Sequence, residues 1–146
     1  MPRMKLQKVL PMAYAPVLAL ETYARTHNDK RLYELVKIRA SEINQCHYCI
    51  AMHTRDALKQ GERQERISAL AGDWRAADLW TEAEAAALAY TDEATRLGDG
   101  GVSDAVWDDL VHHFGEKGAG HLLMAVVAIN AWNRIGISTG LTADDL

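Results

Sequence analysis

Cys46-His47-Tyr48-Cys49-Ile50-Ala51-Met52-His53 is the stretch on which the reading of this chain turns. It holds the only two cysteines in 146 residues, spaced C-x-x-C, with a histidine four residues beyond the second. On a helix, at about 100° per residue, Cys46, Cys49 and His53 fall within an arc of roughly 60° on one face. A disulfide needs its Cα atoms roughly 4.4–6.8 Å apart, a limit that residues three apart in a first helical turn meet. The pair can therefore pass between dithiol and disulfide with little backbone movement. The start of a helix also favours thiolate over thiol, and the thiolate is the reactive form.

Two plainer readings compete with redox chemistry. Unreactive core cysteines are common, but they have no reason to adopt this spacing with a histidine one turn on. A zinc site would use C-x-x-C as half of a tetrahedral set, with His47 and His53 as further ligands. One short helix does not readily wrap four ligands around one ion, and no second C-x-x-C or spaced histidine pair follows. The expectation is a redox-active Cys46–Cys49 pair with no bound metal or cofactor.

At 146 residues the chain fits one domain, residues 1–146, with a sizeable core. Hydrophobic residues make up 49% and charged residues 25%, the balance of an ordinary globular protein. Three prolines, one phenylalanine and no alternating Val/Ile/Thr-rich runs favour helices over strands. The net charge is −4 with both signs interspersed, which excludes the basic footprint of a nucleic-acid-binding protein. The basic stretch Met1–Lys8 followed by the apolar Val9–Leu20 has the outline of an export signal, but Pro11 and Pro16 interrupt it. We read that stretch as part of the folded domain and expect a cytoplasmic location, where a C-x-x-C serves catalysis rather than stapling. The most apolar later run, Leu122–Ile129, falls short of the ~20 residues that cross a bilayer, so no membrane partner is expected.

The helical periodicity divides the chain in order. Val17, Leu20 and Ala24 predict a helix from Met12 to about His27, with Pro16 acceptable in its first turn. A second, about Lys30 to Asn44, carries the stripe Leu32, Leu35, Val36, Ala40 and Ile43, and puts Glu34 on the opposite side as a solvated carboxylate. The cysteine helix ends near Gln60 before Gly61. A short helix follows over Glu62–Ala71. Thr81 and Glu84 form a capping box for the next, which continues to Thr95. Ser103 caps another that ends at Gly115. The last, about Glu116 to Ser138, is apolar around its circumference from Leu122 to Ile129 and so requires cover on all sides, as the domain centre or from a second subunit. Asn130, Asn133 and Arg134 read as hydrogen-bonded intrusions in that packing. His112 and His113 are adjacent and point apart, and His121 stands alone, so none reads as a ligand.

From Glu34 to Glu62 the chain resembles the alkylhydroperoxidase D-like branch of the carboxymuconolactone decarboxylase superfamily. Glu34, Cys46, Cys49 and His53 match its pattern E-x11-C-x-x-C-x-x-x-H. Trp74-Arg75, Thr81–Leu88 and Ala128–Arg134 also resemble that branch, and the likeness runs from about Ala13 to Gly140. It implies an all-α, single-domain helical bundle that assembles as a homo-oligomer, trimeric or hexameric. It further implies a hydroperoxide substrate, with electrons from an external dithiol on a lipoyl-protein, thioredoxin-like or peroxiredoxin partner. By the same resemblance Cys49 attacks peroxide, Cys46 resolves the product, and His53 with Glu34 relays protons. The family's further histidine, immediately before the second cysteine, is Tyr48 here.

The expected function is thus a thiol-dependent hydroperoxide reductase. A lactone decarboxylase, as the superfamily name suggests, and a non-enzymatic redox-sensing oligomer are the alternatives. Position separates the two thiols. Cys46 gains most from the helix terminus, whereas Cys49 lies one turn from His53, a rise of about 6 Å, within reach of a base.

Overall fold

Asp29 opens the helix against which three of the later helices pack. Its side chain accepts from the amides of Arg31 and Leu32, capping α3 (Lys30–Asn44). The computed structural model describes residues 1–146, and every regular element in it is helical. Before α3 come α1 (Leu6–Val9) and α2 (Pro11–His27). After it follow α4 (His47–Lys59), α5 (Gln64–Ala69), α6 (Glu82–Arg96) and α7 (Asp104–Thr139), with 3₁₀ turns at Trp74–Ala76 and Ala143–Asp145.

The expected caps are present. Thr81 and Glu84 satisfy each other's backbone amides at the head of α6, and the Ser103 hydroxyl accepts from Val106 N at the head of α7. Gly115, at φ 72°, breaks α7 into the two helical stretches that the sequence predicts. Gly61 takes the left-handed conformation after α4. One expectation fails at Pro16. Pro11 occupies the start of α2 and Pro16 lies inside it. Met12 and Pro16 are both exposed, so the carbonyl that Pro16 leaves unpaired meets water rather than a dry core.

The larger correction concerns α3. Every residue from Leu32 to Ser41 is buried, because α4, α6 and α7 all pack against this helix. The apolar stripe alone places Glu34 in solvent, yet Glu34, Lys37 and Arg39 are all interior. Burying ionised groups is tolerable only when they are paired, and these are. Arg39 donates to both oxygens of Asp92 and to the carbonyls of Leu70 and Gly72, while Trp74 Nε1 donates to the same Asp92.

The apolar run in α7 is largely covered by the subunit itself. Leu122, Ala125, Val126, Ala128 and Ile129 are buried, Leu123 and Met124 are half-buried, and Val127 alone is exposed. Leu122 and Val126 share a core with Leu32 and Val36 of α3 and Ala87 and Tyr90 of α6. This run therefore gives no argument for a second subunit. It also makes α7, the one helix long and apolar enough to cross a bilayer, a core helix of the bundle.

Candidate active site

Gln45 positions the first cysteine. It ends α3 in the left-handed conformation, φ 57°, unusual for a residue with a side chain, and Cys46 N–H then donates back to Ser41 O at 3.0 Å. The turn is held from both sides. Asn44 Nδ2 donates to Asn130 Oδ1 and Asn133 Oδ1, each at 2.9 Å, and Asn133 Nδ2 donates to Ser41 Oγ. Asn130 and Asn133 are the hydrogen-bonded intrusions expected of α7, and they tie it to the end of α3.

Cys46 is the N-cap of α4 and Cys49 lies in its first turn. The two are joined as a disulfide with Cα atoms 5.3 Å apart, and both are buried. Gly136 of α7 lies against them. A Cβ on Gly136 would stand 3.2 Å from Cys46 Sγ and 3.6 Å from Cys49 Sγ. Gly136 has ordinary helical backbone and its conformation does not call for glycine, so the sulfurs explain its missing side chain.

His53 stands one turn after Cys49 and is buried. Its Nδ1 is 3.0 Å from Glu34 Oε2. An ionised carboxylate only accepts, so Nδ1 carries the proton and the neutral ring keeps its lone pair on Nε2. That Nε2 is buried without a hydrogen-bond partner. Glu34 Oε1 is 3.0 Å from Lys37 Nζ, which also lies 3.5 Å from Glu21 Oε1 and 3.8 Å from the centre of the Tyr33 ring. Burial raises the Glu34 carboxyl pKa, but the hydrogen bond from His53 and the charge of Lys37 outweigh it and hold the group below its ordinary value.

These groups face a cavity of about 960 Å³ lined by Cys49, His53, Glu34 and Lys37 but not by Cys46. Tyr48, in the position of the family histidine, lines it too, as do Tyr14 and Trp132, packed edge to face at 5.3 Å. His47 is exposed, away from the buried pair that a zinc ion would need.

All four expected site residues therefore meet in one place. Sequence reasoning missed Lys37 and Gly136. The first left a signal, since Lys37 follows Glu34 at the i,i+3 spacing of a helical ion pair. His112, His113 and His121 lie elsewhere. His113 pairs loosely with Asp109, and His121 meets the Tyr23 hydroxyl.

Residues 11–93, which contain all four site residues, match the carboxymuconolactone decarboxylase family. The chain belongs to that family. Within it, this is an alkylhydroperoxidase D-like member. This family member is 33% identical to the uncharacterized protein YdfG of Bacillus subtilis, with 94% of each chain covered. It is 31% identical to an Agrobacterium tumefaciens protein of unknown function, suggested to be an antioxidant defence protein AhpD. Their structures agree with a TM-score of 0.92 over 97% of each chain. A peroxidase-related protein from Silicibacter (TM-score 0.76, 20% identity, 92% of this chain and 78% of that one) shares the fold. So does the debrominase Bmp8 bound to 2,3,4-tribromopyrrole (0.79, 16%, 92% and 72%).

Proposed function

We propose that this protein is a thiol-dependent hydroperoxide reductase that works through the Cys46–Cys49 pair. The observation that carries the reading is the placing of Cys49 and His53 on one cavity wall, with His53 Nε2 unpaired and Nδ1 held by Glu34. In the reduced protein Cys49 gives its proton to His53, and Glu34 stabilises the resulting imidazolium. The thiolate attacks the terminal oxygen of ROOH. A sulfur–oxygen bond forms, the oxygen–oxygen bond breaks, and His53 returns the proton to the departing alkoxide as ROH. Cys46 then attacks the Cys49 sulfenic acid, the disulfide forms, and hydroxide leaves with the Cys46 proton as water. An external dithiol restores the pair by exchange and is itself oxidised to a disulfide.

The family resemblance and the antioxidant description of the Agrobacterium relative support the same reading. The test is consumption of cumene hydroperoxide with a dithiol reductant, in the wild type and in Cys46→Ser/Cys49→Ser. Turnover that requires the cysteines is expected. Its absence would sink this reading, and activity on a carboxymuconolactone that survives the double substitution would put the decarboxylase reading in its place.

A further inference from the structure

Lys37 is the most deeply buried charged side chain beside the site, 3% exposed, and it takes no part in the proposed thiol chemistry. It projects from α3 one turn after Glu34, and its ammonium sits between the carboxylates of Glu34 and Glu21 and over the Tyr33 ring. Glu21 is held in turn, because Trp132 Nε1 of α7 donates to its other oxygen at 3.1 Å. A chain of alternating charge thus runs from His53 through Glu34 and Lys37 to Glu21, ending on an indole N–H. Each Glu34 oxygen has its own partner, Oε2 for His53 and Oε1 for Lys37.

We propose that Lys37 is a positioning residue that keeps Glu34 ionised and aimed at His53, and so sets the lower pH at which the Cys49 thiolate can form. This rests on the dithiol reading above, but it concerns thiol ionisation and holds for any electrophile. A lysine buried only to neutralise one carboxylate has no need of a second, anchored one. Glu21 instead fixes the ammonium and leaves its pull shared between two oxygens of known position. Removing the ammonium leaves Glu34 with burial against it and His53 alone in its favour. The carboxyl then binds a proton at higher pH, and a protonated Glu34 no longer stabilises imidazolium.

The other charged groups around Glu34 do not substitute for Lys37. From α2, Glu21 would raise the Glu34 pKa, and Arg25 forms no ion pair with Glu34. From α3, Tyr33 stays protonated, since burial and then Glu21 push its pKa up. From α4 the cavity receives Asp56 and Lys59 beside His53, and the terminal segments bring Lys5, Lys8 and Asp145, none of them paired with Glu34.

The experiment is the pH dependence of alkylation of Cys49 by iodoacetamide in prereduced Cys46→Ser protein, combined with Lys37→Met, Lys37→Gln or Lys37→Arg. Circular dichroism of each variant checks the fold. The acid limb is expected to move up by about one pH unit in the Met and Gln variants, with about tenfold slower alkylation on that limb, and to return towards its original place in Lys37→Arg. A folded Met or Gln variant with the unshifted limb overturns the proposal. If only Lys37→Arg folds, a limb displaced by as much as one unit overturns it as well, since the charge is retained. Because alkylation needs no hydroperoxide, a protein that fails to reduce peroxide yet shows the shift sinks the proposed function and leaves this inference standing.

Discussion

Glu34 Oε2 and His53 Nδ1 meet at 3.0 Å across 19 residues of chain and two helices. The bond fixes the tautomer of the histidine and so decides which nitrogen faces the chemistry. Glu34→Gln keeps the size and one hydrogen bond but removes the negative charge that stabilises imidazolium. We expect peroxide-driven oxidation of the dithiol to slow by about 10- to 100-fold, within the range of general acid–base effects. Disulfide formation by a chemical oxidant such as diamide should proceed as in the wild type. Stopped-flow tryptophan fluorescence with each oxidant separates the two, and equal slowing by both would make Glu34 merely structural.

Gly136 and Cys46 form the second informative pair. In a helix alanine is preferred to glycine by about 1 kcal/mol, yet a methyl here would meet both sulfurs. Overpacking a filled site typically costs ~1–3 kcal/mol, and two unbonded thiols need more room than a disulfide does. Gly136→Ala should therefore leave the oxidised protein near wild-type stability, lower the melting temperature of the reduced protein, and slow its oxidation by peroxide about tenfold or more. Calorimetry of both redox forms tests this. A reduced variant as stable and as fast as the wild type would refute it.

Much of this site is legible in the chain and part of it is not, for a physical reason. C-x-x-C followed by His53 is local, so spacing alone puts Cys46, Cys49 and His53 together. Caps are local too, and Ser103, Thr81 and Gly61 act as their residue types predict. Glu34 shows where periodicity stops. An apolar stripe tells which face of a helix is buried when one side is covered, but α3 is covered all round, and its polar face is buried through pairing with partners far along the chain. The family pattern identifies Glu34 where the amphipathic stripe discards it. The i,i+3 spacing signals the pairing of Lys37 with Glu34, but its second partner Glu21 on α2, and the approach of Gly136 on α7 to the sulfurs, are contacts that no local pattern contains.

Asp92 provides a pH-dependent test of the core. Burial raises its carboxyl pKa, but hydrogen bonds from Arg39 and Trp74 and the charges of Arg39 and Arg96 more than offset this and hold it below its ordinary value. A carboxyl depressed in the folded state contributes stability that is full above its unfolded pKa, near 4, and is lost as the pH falls through the folded value. Asp92→Asn leaves Arg39 buried without its counter-charge, a loss of about 3–5 kcal/mol near neutral pH. Urea unfolding at falling pH should show the gap between wild type and variant closing below pH ~4. A constant gap would mean that the charge of Asp92 contributes nothing and that the lost acceptor oxygen accounts for the difference.

The division of labour between the sulfurs follows from which of them meets the cavity. Cys46 caps the helix, where the partial positive charge lowers a thiol pKa, and this favours it for exchange with an incoming disulfide. Cys49 lines the cavity with His53, whereas Cys46 does not. A hydroperoxide entering that space meets Cys49 first, with a base at hand. On peroxide treatment Cys46→Ser should therefore retain a single trappable sulfenic acid per subunit, and Cys49→Ser should form none. Dimedone labelling followed by mass spectrometry reads both. Sulfenic acid at Cys46 in the Cys49→Ser protein, formed at the wild-type rate, would reverse the assignment and make the helix terminus, rather than the histidine, the activating group.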